Sequence, residues 1–252
     1  MHRFYVPTHQ IAGDHAFLVG EQCRQIRTVL RMRQGDRIAL FDGSGREYVA
    51  EIRSTSSQRV DLFILEVLHP QTEPEIHLTV VLSLLKGGNT ELILQKCTEL
   101  GAARFVLMSA KRTVPRLEES KLGLRLERWS AVVREAAEQS GRVKVPELHG
   151  VLPFEEAINR VIKEGKLFVA WEQERSRMLG DILRENRIAR PIYVVGPEGG
   201  FTPEEVAYAR EAGAETVSLG PRILRSETAA IVGTAVFVMS DDLRWKGAWK
   251  KL

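Results

Sequence analysis

Two stretches in the last quarter of this 252-residue chain each run from an apolar strand into a glycine- and proline-bearing loop, and then into a helix. In the first, residues 192–195 are wholly apolar and Gly196-Pro197-Glu198-Gly199-Gly200 follows at once. Thr202-Pro203-Glu204-Glu205 then opens a helix: Thr202 suits the N-cap, Pro203 the first helical position, and Glu205 completes a capping box. In the second, residues 216–219 lead through Gly220-Pro221-Arg222 to Ile223-Leu224-Arg225-Ser226-Glu227-Thr228 and an apolar helix over 229–240. Glycines directly after a strand let the backbone approach a ligand closely. Two such loops at the carboxyl edge of one parallel sheet form a binding crevice.

The pattern upstream supports such a sheet. Strands are expected at 77–85, 104–108, 167–171, 192–195 and 215–219. Helices are expected at 90–100, 122–140, 154–163, 178–186, 203–212 and 228–240. This alternation argues for a largely parallel α/β sheet covered on both faces. In the long helix, Leu126, Trp129, Val133 and Ala136 share a face, so Trp129 is assigned to the core. The last helix has almost no polar face. It is expected to be buried, and a subunit interface is favoured over the domain interior.

Residues 1–72 read differently. Short apolar runs at 3–6, 37–41, 48–53 and 60–67 alternate with turns, of which Asp42-Gly43-Ser44-Gly45 is the strongest, and suggest a small β-barrel. One helix is expected over 21–32, with Cys23, Ile26 and Leu30 inward and Arg24, Arg27 and Arg31 in a stripe beside them. The segment 69–75, with two prolines, reads as the linker, giving domains 1–72 and 73–252.

The net charge of +3 does not by itself point to nucleic acid, but its distribution is uneven. Residues 104–144 hold ten Lys or Arg against five Glu, and Lys111-Arg112-Thr113-Val114-Pro115-Arg116 falls in an expected loop. The two cysteines, Cys23 and Cys97, sit in apolar helical patterns and read as buried free thiols of a cytoplasmic protein. The N-terminal residues lack the apolar core of a signal peptide. No apolar run spans a bilayer, and the six histidines show no metal-ligand spacing.

Several familiar chemistries do not fit. Lys86-Gly87-Gly88-Asn89-Thr90 resembles a Walker loop only superficially, because its lysine precedes the glycines. Dinucleotide-binding glycines follow the first strand of their unit, whereas here the glycine loops come last. No Gly-x-Ser-x-Gly elbow is present.

The residues do resemble a known family, over nearly the whole chain. The likeness rests on His2-Arg3-Phe4-Tyr5-Val6, Val29-Leu30-Arg31-Met32-Arg33-Gln34-Gly35-Asp36, Phe41-Asp42-Gly43 and Gln95-Lys96-Cys97-Thr98-Glu99-Leu100-Gly101. Glu135-Ala136-Ala137-Glu138-Gln139-Ser140-Gly141-Arg142, Gly-Pro-Glu-Gly-Gly-Phe over 196–201 and Leu-Gly-Pro-Arg-Ile-Leu-Arg-Ser-Glu-Thr-Ala over 219–229 complete it. In order and number these resemble the RsmE family, SPOUT-class methyltransferases that modify uridine N3 in 16S ribosomal RNA. Ser226 stands where threonine is more usual, and the tail Arg244-Trp245-Lys246-Gly247-Ala248-Trp249-Lys250-Lys251 runs on as a basic extension.

The resemblance implies an N-terminal PUA-like barrel, a trefoil-knotted α/β domain, S-adenosylmethionine as cofactor, and a homodimer formed through the knot domain; no metal is expected, given the histidine spacing. It assigns Trp171, Gly196, Pro197, Glu198, Gly199, Gly200, Leu219, Gly220, Ile223, Leu224 and Ser226 to the cofactor. Arg225 is expected to orient the uracil and stabilise its anion. Glu198 is expected to accept the proton or to bind the cofactor's ammonium group, and Glu227 to fix Arg225 or cap the last helix. Arg24, Arg27, Arg31, Lys111, Arg112 and Arg142 are expected to form a path for ribosomal RNA of the small subunit. Competing readings are another SPOUT enzyme acting on transfer RNA, a non-catalytic ribosome-assembly protein, and a different adenosine-nucleotide enzyme.

Overall fold

The computed structural model describes residues 1–115 and 118–245. They fall into two units, Met1–Glu73 with Ala137–Val145, and Pro74–Ala136 with the chain from Pro146 onward. A single division at 72/73 does not anticipate the return of residues 137–145 to the first unit. The side chains explain it. Arg142 pairs with Glu73 at 2.7 Å, Glu138 accepts a hydrogen bond from the Tyr5 N–H at 2.6 Å, and Arg3 donates to the Ala137 carbonyl at 3.3 Å.

The first unit is a six-stranded sheet in the order β1-β4-β5-β6-β3-β2. Its strands are β1 (Arg3–Tyr5), β2 (Ile11–Ala12), β3 (His15–Val19), β4 (Arg37–Phe41), β5 (Glu47–Thr55) and β6 (Arg59–Leu68). The β1–β4 pair is parallel and the others are antiparallel. Alternate residues of β5 and β6 point inward, so Tyr48, Ala50, Ile52, Val60, Leu62 and Ile64 build a core on one face with Cys23 and Ile26. Asp42 accepts from the Ser44 N–H at 2.9 Å and from the Tyr48 hydroxyl at 2.9 Å, which fixes the expected turn. The helix expected over 21–32 is shorter. A single turn, α1 (Glu21–Arg24), passes into a wider π turn over Gln25–Val29, and Arg31 has a left-handed φ of 54°. Arg24 and Arg27 are exposed on these turns and Arg31 lies beyond them.

The second unit holds a parallel sheet in the order β12-β10-β11-β7-β8-β9. Its strands are β7 (Thr79–Ser83), β8 (Arg104–Ser109), β9 (Glu147–Pro153), β10 (Lys166–Ala170), β11 (Pro191–Val195) and β12 (Glu215–Val217). Every residue of β7 and β11 is buried, as a sheet covered on both faces requires. The helices are α2 (Asn89–Glu99), α3 (Glu119–Gln139), α4 (Phe154–Val161), α5 (Leu179–Glu185), α6 (Pro203–Glu211) and α7 (Ser226–Trp245). Trp129 is buried as expected. Strand β9 is absent from the sequence expectation, because this edge strand is only half buried and carries no apolar run. Thr202 and Glu205 close the expected capping box at α6, with Pro203 at the first turn.

Helix α7 departs from a wholly buried helix. Ala230, Phe237 and Val238 are buried, but Val232 is 37% and Met239 55% exposed. The basic tail from Lys246 onward lies outside the described residues, as does Arg116 of the basic loop.

Candidate cofactor and active site

The sheet order reverses between β11 and β7. From β7 the chain steps outward to β8 and β9, then returns to the other side for β10, β11 and β12. Ligands in open α/β sheets bind outside the carboxyl ends of strands at such a point. A cavity of about 420 Å³ lies there, lined from the ends of β10 (Ala170, Trp171, Glu172), β11 (residues 195–201) and β12 (Val217 onward), and by Asn89 of α2. Its volume falls within the range for small-molecule sites, roughly 300–1,000 Å³.

All eleven residues assigned to the cofactor line this one cavity, and Arg225 and Glu227 line it too. The first glycine loop is held by one bond within it and one from Arg112. The Gly200 N–H donates to the Pro197 carbonyl at 2.9 Å, and the Gly199 carbonyl accepts from Arg112 Nη1 at 2.8 Å. Gly200 has φ 68°, a left-handed value that favours glycine, and a Cβ there would meet Glu172 Oε1 at 3.0 Å. Gly196 packs flat against Phe201, whose ring lies 3.1 Å from where a Cβ would be.

The opposite wall is fixed through Glu174, which sequence reasoning missed. Its Oε1 accepts from the Ser176 N–H at 2.9 Å and the Ser176 hydroxyl at 2.8 Å. Its Oε2 accepts from the Thr216 hydroxyl at 2.6 Å, with Arg210 at 3.4 Å. The Thr216 bond, then the Ser176 N–H, pull its pKa down to about 2 against the opposing effect of burial. The Arg210 guanidinium lies 5.1 Å from the centre of the Trp171 ring. Trp171 thus stands braced, and its buried Nε1 has no partner among the described residues.

The residues expected to do chemistry differ in their settings. Arg225 is 87% exposed along its side chain, with Glu227 at 4.0 Å, so its guanidinium is held only loosely. The Glu198 carboxylate is exposed, and its Oε1 accepts from the Lys86 N–H at 2.9 Å. That bond ties the β11 loop to the loop after β7. Ile223 is 82% exposed on the lip of the cavity.

The residues expected on an RNA path separate into two groups. Arg24, Arg27 and Arg31 are exposed in the first unit, and Lys111 and Arg112 are exposed in the second. Arg142 is a correction: only 4% exposed, it donates through Nε and Nη2 to Glu73 and is a structural cation. The sequence could have warned of this, since Glu73 lies in the linker and an arginine is rarely left in the interior without such an acid.

Among the described residues, no helix is long and apolar enough to cross a membrane, and no group of His, Cys, Asp or Glu could hold a metal.

Comparison with known proteins agrees with this geometry. Residues 72–238 match the family described as RNA methyltransferase domain, and residues 26–65 that described as RNA methyltransferase PUA domain. Ribosomal RNA small subunit methyltransferase E of Bacillus subtilis is 34% identical over 96% of this chain and 98% of its own. The Mycobacterium bovis protein of the same name is 36% identical over 96% and 92%. The solved structure of that enzyme from Neisseria gonorrhoeae, bound to S-adenosylmethionine, superposes with a TM-score of 0.85 at 33% identity, covering 93% of this chain and 95% of the other. The fold and the cavity define an RNA methyltransferase with a PUA domain. Within that class, the chain belongs to the ribosomal RNA small subunit methyltransferase E family.

Proposed function

We propose that this protein transfers a methyl group from S-adenosylmethionine to N3 of a specific uridine in 16S ribosomal RNA of the small subunit, in the cytoplasm. The observation that carries the reading is the convergence of both glycine loops and Trp171 on one cavity at the switch point. The backbone around Gly196, Gly199, Leu219 and Leu224, with Ser226, would embrace the adenosine and methionine parts. When bound, the cofactor supplies a methyl group already activated on a sulfonium.

The chain's task is then positioning and charge. Uracil N3 must lose a proton before it can attack, and the anion spreads onto O2 and O4. Arg225, exposed and loosely paired, is free to swing onto those oxygens and stabilise the charge. Glu198 has one oxygen fixed by the Lys86 N–H. Its other oxygen, which no described residue bonds, can accept the N3 proton or meet the cofactor's ammonium group. Glu227, in the first turn of α7, steadies Arg225.

Arg225→Ala should keep cofactor affinity and lower methyl transfer by about a hundredfold to a thousandfold, with partial rescue at higher pH. Mapping modified nucleosides after incubation with small ribosomal subunits reads the product, and calorimetry on the same sample reads cofactor binding. Normal turnover, or a loss of cofactor binding, would assign Arg225 to structure alone.

The exposed Val232 and Met239 of α7, with Leu92 of α2 at 39%, support a homodimer formed through this domain, which would be knotted as in SPOUT enzymes. Sedimentation as a monomer at micromolar concentration would remove the dimer.

A further inference from the structure

Apart from one backbone bond and Asn89 at the cofactor cavity, the segment Lys86–Thr90 has no role in the reading above, yet a second cavity opens over it. Its volume is about 340 Å³, and its walls include Lys86, Gly88, Val114, Pro115, Arg125 and Trp129. Val114 is 53% exposed at its mouth and Trp129 lies buried at its base. Gly87 and Gly88 have φ of 63° and 86°, and a Cβ on either would meet nothing within 4 Å, so the backbone faces open space.

The charge in this cavity is one-sided. Among the described residues its single acid is Glu91, which is held by Arg128 at 2.8 Å. Lys86 and Arg125 are both exposed, and neither makes an ion pair with a described residue. Two cations without an ion-pair partner among the described residues, over an apolar floor, suit an anionic group attached to a flat apolar one, as in a nucleotide. The cavity also adjoins the first. The Lys86 N–H holds Glu198, which lines the cofactor cavity, and Asn89 after the two glycines lines it as well.

We propose that this second cavity receives a nucleotide flanking the target uridine, with its backbone phosphate on Lys86 and Arg125 and its base over Val114 and Pro115. This rests on the reading of the protein as an RNA methyltransferase. The site explains why the lysine precedes the glycines. It grips the strand that presents the target, and the glycines leave the backbone open to it.

The test measures RNA binding rather than methylation, so it can fail separately from the proposed activity. Lys86→Gln, Arg125→Gln and Val114→Glu, the last placing a carboxylate at the exposed mouth, are compared with wild type and with Lys163→Gln, an exposed lysine outside the cavity. Binding of 16S ribosomal RNA is followed across a salt series, S-adenosylmethionine affinity by calorimetry, and oligomeric state by sedimentation. Each cavity variant should weaken RNA binding by about fivefold to tenfold, and each lost cation should flatten the slope of log affinity against log salt by about 0.7. Cofactor affinity and the Lys163→Gln control should not move. Competition by inorganic phosphate should be weak and should vanish in the two cation variants. Wild-type RNA affinity and slope in the cavity variants would overturn the proposal. So would an equal loss of cofactor binding, or a change in sedimentation with RNA binding intact, which would mean that a second copy of the chain covers the cavity. A wild-type protein that binds RNA through this cavity but transfers no methyl group would instead overturn the activity.

Discussion

The two sheets solve the burial problem in opposite ways. In the first unit one sheet face is wet, and the core is a single layer of alternating side chains. Such a unit gains little from apolar area alone, and it is reinforced with ionic contacts. Arg142 binds Glu73, Arg3 binds Glu47 at 2.7 Å, and Arg3 also lies 4.2 Å over the Phe41 ring. In the second unit, strands β7 and β11 are buried on both faces, and tight apolar packing holds the centre. Polar groups collect where the strands end, around Glu174, Thr216, Glu198 and Arg225. The difference teaches where chemistry can go: a sheet covered on both faces leaves only its loop edge for a ligand.

The largest effect should come from the ionic strap of the first unit. Arg142→Ala removes a 4% exposed cation and strands the Glu73 carboxylate, which still accepts from the Val143 and Lys144 N–H groups at 3.0 and 3.1 Å. Breaking one side of a buried pair costs about 3–5 kcal/mol. Arg24→Ala, where the side chain is 73% exposed and 3.5 Å from Glu21, should change stability by no more than about 0.5 kcal/mol. Urea unfolding of both variants decides. Equal and small losses would place the strength of this unit in its apolar core and erase the contrast.

The second unit should respond to volume rather than charge. Gly233 in α7 lies against the ring of Tyr193, whose hydroxyl donates to the Ala229 carbonyl at 2.9 Å, and a Cβ at 233 would overlap that ring. Replacing glycine by alanine in a helix ordinarily stabilises by about 1 kcal/mol. Here overpacking should reverse the sign and cost about 2 kcal/mol. A raised unfolding midpoint for Gly233→Ala would show that α7 can move off the sheet, and that the packing is looser than its burial suggests.

What the sequence made legible follows the same divide. The parallel sheet could be read because fully buried strands and amphipathic helices leave strong periodic marks. The cofactor cavity could be read because glycine, proline and a capping box mark its loops. The edge strand β9 left no such mark, since its half-buried residues show no clean run, and the five-residue β3, which lies between β6 and β2, is too short to stand out among the turns around it. The stripe Arg24, Arg27, Arg31 assumed regular helix spacing, and the π turn at Gln25–Val29 breaks that spacing before Arg31. Arg142 and Glu174 share one cause of failure. Each owes its role to a partner far along the chain, Glu73 in one case and Thr216 and Arg210 in the other. Local pattern carries no information about such pairings.

Glu174 gives the sharpest reading, because it brings a buried charge of the first unit's kind into the second. It is 8% exposed and joins the Trp171–Ser176 loop to β12. Glu174→Gln keeps the shape but loses the charge that Arg210 and the two hydroxyls address, and should cost up to about 3 kcal/mol at pH 7, the size that such a pKa shift implies. The sign with pH is set by the depressed pKa. A carboxyl at about 2 when folded and near 4.5 when unfolded adds stability that is fully present above 4.5 and fades as pH falls toward 2. The gap between wild type and Glu174→Gln should therefore be widest at neutral pH and close between pH 4.5 and 2. The same variant should weaken S-adenosylmethionine binding, because the Trp171 wall would lose its brace through Arg210. A gap independent of pH would mean that Gln replaces every contact, and that the wall stands without the charge. Unchanged cofactor affinity beside a normal pH response would confine Glu174 to the fold and leave Trp171 positioned by its own backbone bond to Val217, at 3.1 Å.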